Sequence, residues 1–150
     1  DQTIKTPDIE LVKAEIVIPD LQIPWGFDFL PDGSILVTEK SGELLHFRDG
    51  KKISINGLPE IKVQGQGGLM DIKRHPNFNE NQWVYFSYAS PEGEGRGANA
   101  TIMRARLKGN ELTEQKVLYK ASPNSSKPYH FGSRIEFDTQ NHIYFSIGVT

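Results

Sequence analysis

One histidine and one glutamine carry the chemistry that this chain can be asked to do. His130 stands alone in KPYHFGSRIEFD (127–138), and Gln66 stands in the glycine-rich GQGGL (65–69). Imidazole has an ordinary pKa of about 6.5, so it can take up a proton at neutral pH. A carboxamide offers a donor and an acceptor without changing charge, so it can hold an oxygen while a proton leaves that oxygen. Together they could serve a small-molecule site, provided the fold unites positions 64 residues apart. His46, His75 and His142 fall in strand or turn patterns and read as structural or solvated.

Several other chemistries are excluded or unsupported. The chain has no cysteine, which rules out a disulfide framework, a thiolate nucleophile and a cysteine-based zinc site. With 17 basic and 19 acidic residues the formal charge is −2, without the footprint of a nucleic-acid binder. The most basic run, MRARLKGN (103–110), alternates charge with Ala and Leu and reads as the solvated face of a strand. PEGEGRGANA (91–100) has no Gly-Lys-Ser/Thr and is no phosphate loop; it reads as a flexible hairpin loop. No apolar run is long enough for a membrane span, and the polar start DQTIKTPDIE has no signal-peptide pattern. An exported protein would therefore be present in mature form. Asn99-Ala-Thr101 and Asn124-Ser-Ser126 match the short N-glycosylation pattern.

The elements that must position His130 and Gln66 are strands. Apolar residues rarely recur at helical spacing, whereas short alternating runs bounded by turn residues predict ten strands. These are WGFDFL, SILVTE, ELLHF, KISI, GLMDIKR, WVYFSY, TIMRARL, KVLY, SRIEF and HIYFSI. Three hairpins read as copies of one unit: WGFDFLPDGSILVTE, MDIKRHPNFNENQWVYFSY and SRIEFDTQNHIYFSI. Aligning Pro31, Pro76 and Thr139 gives offsets of 45 and 63 residues, the period of a four-stranded propeller blade and of one enlarged by a loop. The fold class is all-β, a β-propeller, with two blades and the first hairpin of a third in this chain. Gln66 and His130 then occupy matching loops that lead into the innermost strands of successive blades. Such loops gather around the axis on one face, where convergent polar groups make a small-molecule site. Because two and a half blades leave open strand edges, residues 1–150 are expected to be the N-terminal portion of a single propeller domain in a longer protein.

The residues that build this repeat also carry a family resemblance. IPWGFDFLPDGSILVTEKSGELLHF, GQGGLMDIKRHPNF with VYFSY, and HFGSRIEFD with IYFSIG are similar to the opening blades of the soluble, pyrroloquinoline-quinone (PQQ)-dependent sugar dehydrogenases, the glucose, aldose and sorbosone dehydrogenase family. The resemblance implies a six-bladed propeller that holds PQQ over its axis with calcium. It implies oxidation of the C1 hydroxyl of an aldose to a lactone, with electrons passed to an external acceptor. It assigns His130 as general base and Gln66 as the contact to the reacting sugar oxygen. Gly67 and Gly132 are candidates for close backbone approach to the flat cofactor, while the main quinone and calcium ligands lie beyond residue 150, with no metal ligand in this segment. The expected location is periplasmic or secreted. Two departures stand out: Val149 replaces an acid that orients the base in family members, and Tyr129 precedes His130 where some members have Asp. The first departure keeps open an alternative, a non-catalytic propeller that binds a glycan or a protein.

Overall fold

The computed structural model describes residues 13–148; the polar start and Val149 lie outside the described residues. Among the described residues ten strands follow one another: β1 (Pro24–Phe29), β2 (Ile35–Glu39), β3 (Glu43–Arg48), β4 (Lys51–Ser54), β5 (Leu69–Arg74), β6 (Trp83–Ser90), β7 (Asn99–Lys108), β8 (Glu111–Lys120), β9 (Gly132–Phe137) and β10 (Ile143–Ile147). One short helix, α1 (Phe78–Asn81), interrupts the hairpin between β5 and β6. All ten sequence-predicted strands are present, and every pair of neighbours is antiparallel.

The sheets have the order β1-β2-β3-β4, β5-β6-β7-β8 and β10-β9. This is the arc of a β-propeller: two complete four-stranded meanders and the first hairpin of a third. The innermost strands β1, β5 and β9 stand side by side and are joined by carboxylates. Asp28 Oδ2 accepts the Arg74 N–H at 2.8 Å, and Asp71 Oδ2 accepts the Ile135 N–H at 2.8 Å. A carboxylate on one strand thus serves the ladder-edge N–H of the next blade, where no backbone partner exists.

Apolar faces of consecutive sheets fill the gaps between blades. Leu36, Leu44, Leu69, Ile72, Val84, Phe86 and Tyr88 form the core between the first two blades. Tyr85, Ile102 and Ile135 form the next, with Trp83, Phe137, Ile143 and Phe145 packed against it. The HPNF motif has a local purpose. His75 Nδ1 accepts the Asn77 N–H at 3.0 Å and lies 2.9 Å from Asn81 Nδ2, which fixes the turn into α1. Its ring stacks on Tyr85 and meets Phe137 edge-on. Burial, with the nearby Arg104 charge, lowers its pKa.

Two sequence expectations change. MRARLKGN does alternate, but Arg104 and Arg106 do not simply face water: their guanidinium groups cover the Trp83 ring at 4.1 and 4.3 Å. PEGEGRGANA is not a loose loop. Asn99 Nδ2 donates to Glu92 O at 2.7 Å and to Asn124 Oδ1 at 2.6 Å, while Asn124 Nδ2 donates to Pro91 O at 3.1 Å. The same bonds occupy both asparagines of the glycosylation patterns, and Asn99 is only 3% exposed.

Candidate active site

The loop 64–67 and the loop 128–131 meet on the face where the chain enters β5 and β9. Gln66 Oε1 accepts the His130 N–H at 2.9 Å, and the Gln66 N–H donates to Pro128 O at 2.7 Å. The repeat arithmetic therefore places the pair correctly, 64 residues apart in sequence. Both side chains are exposed. The His130 ring lies edge-on to Tyr129, with centroids 4.8 Å apart. Among the described residues no group hydrogen-bonds either ring nitrogen.

His130 has φ of +65°, a left-handed conformation that costs a non-glycine residue roughly 1 kcal/mol. Its neighbours hold it there. A Cβ on Gly148 would stand 1.7 Å from His130 O, so the end of β10 passes directly over that carbonyl. On the other side Gly65 has φ of +56°, and a Cβ there would stand 2.4 Å from Pro128 O. The two loops are thus closed on each other at backbone contact, and the glycines permit that approach.

Gly67 and Gly132 have a packing reason of their own. A Cβ on Gly67 would meet the Phe131 ring at 2.9 Å, and one on Gly132 would meet Gly148 N at 2.7 Å. In both cases the side on which a Cβ would stand faces protein. A cleft of about 630 Å³ is lined by Asn99, Tyr119, Asn124, Phe131 and Ile147 among others. It lies beside the Gln66–His130 pair, which does not line it.

Sequence reasoning missed Asp71, which is 1% exposed in the inner strand β5. It accepts the Ile72 and Ile135 N–H groups and lies 3.8 Å from Arg134 Nη1. Burial raises its pKa, opposed by those N–H groups and by Arg134. The available signal was an acid at an apolar-flanked position of GLMDIKR. Asp71 is thus the carboxylate that faces Arg134, whose guanidinium also lies over Trp25 at 5.3 Å.

A second network resembles nucleophile chemistry but is not arranged for it. His46 Nε2 lies 2.7 Å from Ser34 Oγ, and Ser34 Oγ donates to Asp32 Oδ1 at 2.5 Å. The serine proton is committed to the acid, so the histidine must donate to the serine rather than accept from it. This group fastens the β1–β2 turn to β3.

Comparison with known proteins places these features in a family. The family model described as glucose/sorbosone dehydrogenase matches residues 21–150. The aldose sugar dehydrogenase YliI of Escherichia coli (strain K12) is 31% identical over 142 residues, covering 91% of this chain and 38% of that protein. Quinoprotein glucose dehydrogenase B of Acinetobacter calcoaceticus is 28% identical over 144 residues, covering 89% of this chain and 30% of that protein. A solved glucose dehydrogenase superposes with a TM-score of 0.80 at 34% identity, covering 85% of this chain and 41% of that one. The chain thus spans 30 to 41% of the length of these proteins, and it belongs to the glucose/sorbosone dehydrogenase family.

Proposed function

We propose that this chain supplies the base-bearing blades of a PQQ-dependent dehydrogenase that oxidises an aldose at C1 to the lactone. The observation that carries this reading is the bond from the His130 N–H to Gln66 Oε1, which brings a proton acceptor and an amide to one exposed point. Family membership supports the reaction class, and the names of the relatives support a sugar substrate and a quinone. The chain has no cysteine and no redox group among its own side chains, so a bound hydride acceptor is needed.

The residues present fit the substrate side of such a site. PQQ, when bound, would supply the hydride acceptor for C1. His130 takes the C1 hydroxyl proton as the C=O bond forms. Gln66 has already spent its carbonyl oxygen on the His130 backbone. Its Nε2 hydrogens remain for the reacting oxygen, and their donation strengthens as negative charge gathers there. An external acceptor would be needed to take the electrons. Calcium at the cofactor, ligands for both outside this segment, and a periplasmic or secreted location complete the proposal.

The test is dye-linked aldose oxidation by the native-length protein after loading with PQQ and calcium. Aldose-dependent dye reduction only in the loaded protein is the expected result. Absence of quinone binding in an absorbance titration overturns it.

A further inference from the structure

The first two blades carry the same device in their second strands. In the first blade the Gly26 N–H donates to Thr38 Oγ1 at 3.0 Å, and the Thr38 hydroxyl donates to Met70 O on the inner strand of the second blade at 2.5 Å. In the second blade the Asp71 N–H donates to Ser87 Oγ at 2.9 Å, and the Ser87 hydroxyl donates to Ser133 O in the third at 2.8 Å. The registers put both at a β-bulge, between Pro24 and Gly26 and between Leu69 and Ile72. A bulge leaves an inner-strand N–H without its ladder partner. A hydroxyl both accepts and donates, so one side chain satisfies that N–H and also ties down the neighbouring strand. The accepting carbonyl each time belongs to the residue just before the next bulge position: Met70 before Asp71, Ser133 before Arg134.

The third blade has the first half of this device. Its register shifts between Phe145 and Ile147, and the Arg134 N–H donates to Ser146 Oγ at 3.2 Å. Among the described residues no carbonyl accepts the Ser146 proton. Thr38 and Ser87 are 0% exposed, whereas Ser146 is exposed, beside a Tyr144 that is 60% exposed.

We propose that Ser146 is a docking hydroxyl for the inner strand of a further blade of the same polypeptide, donating to the backbone carbonyl of the residue that precedes that strand's bulge. Two junctions in this chain already have that geometry, and the Ser146 face continues their row. The matched relatives are more than twice as long as the matched segment, which leaves room for such a blade. The inference rests on backbone geometry and is independent of the proposed reaction.

The test compares Ser146→Ala, Ser146→Thr and Ser87→Ala in the native-length protein by urea denaturation and sedimentation. Ser146→Ala should lower the midpoint as Ser87→Ala does, and Ser146→Thr should restore it, since Thr38 serves the same position in the first blade. A Ser146→Ala midpoint equal to wild type overturns the proposal. So does a loss that appears only as dissociation of a dimer, which would make a second copy the occupant. Should Ser87→Ala fail to fold, a crystal structure of the native-length wild type decides. Ser146 Oγ within about 3 Å of such a carbonyl supports the inference, and a solvent-facing Ser146 overturns it.

Discussion

The carboxamide of Gln66 holds the backbone of His130: Oε1 accepts the histidine N–H at 2.9 Å, across 64 residues of sequence and from one blade to the next. A glutamine side chain that accepts from a backbone N–H must present its NH₂ group elsewhere. The bond therefore sets two things at once, the left-handed backbone of the proposed base and the donor character of the remaining amide group.

Substitutions at Gln66 separate those two roles. Gln66→Glu keeps an acceptor for the His130 N–H but has no NH₂ to donate. Gln66→Ala removes both. We expect both to lose about 1 to 3 kcal/mol of transition-state stabilisation, measured as kcat/KM for aldose oxidation. Only Gln66→Ala should also speed amide exchange at His130, because only there does the N–H lose its partner. Equal exchange in the two variants would dissociate the amide from the loop's conformation.

His130→Ala should retain the fold and quinone binding in the native-length protein. Turnover at saturating quinone should fall roughly 10²- to 10⁴-fold, the usual contribution of a general base. Turnover equal to wild type would reduce His130 to a loop residue and favour a binding propeller instead.

The strand list and the repeat were legible because each copy pairs an alternating strand with a polar turn, a local signal that needs no long-range contact to read. The meeting of Gln66 and His130 was legible for the same reason, since matching positions in a repeat become neighbours around an axis. What the sequence did not disclose depends on contacts between blades. The glycines at 67 and 132 also have a packing reason that the sequence does not show, since a Cβ there would meet Phe131 or the end of β10. Asp71 looked like one acid in a strand, and only the neighbouring blade shows that it serves Ile135 and Arg134. Thr38 and Ser87 are unremarkable in composition, and their shared task appears only when two bulges and two junctions are compared.

His46 provides a pH signature. Burial against Ser34 lowers its pKa below the ordinary 6.5, helped by Arg48 and opposed by Asp32. Below pH 6.5 the unfolded chain binds a proton that the folded chain resists, so stability rises with pH across that window. The stabilisation is whole above 6.5 and is lost as pH falls toward the lowered folded value. Urea midpoints measured from about pH 7.5 to 5.5 should decline less in His46→Gln than in wild type. Parallel curves would mean that folding does not lower the His46 pKa.

The last prediction concerns Gly148, whose importance comes from position rather than flexibility. A Cβ there would stand 1.7 Å from His130 O and 2.5 Å from its carbonyl carbon, both backbone atoms that no rotamer change can move aside. Gly148→Ala must therefore displace either the end of β10 or the loop that carries the proposed base. By contrast Gly33 has φ of +84° and open space where its Cβ would lie, so Gly33→Ala meets only backbone strain. We expect Gly148→Ala to cost about 1 to 3 kcal/mol, in the range of overpacked cores. We also expect it to lower kcat for aldose oxidation well beyond any change in quinone affinity, whereas Gly33→Ala should affect stability alone. Measuring both variants by denaturation and by turnover under saturating quinone tests this directly. A Gly148→Ala protein with wild-type kcat would show that the His130 carbonyl can move without disturbing the site.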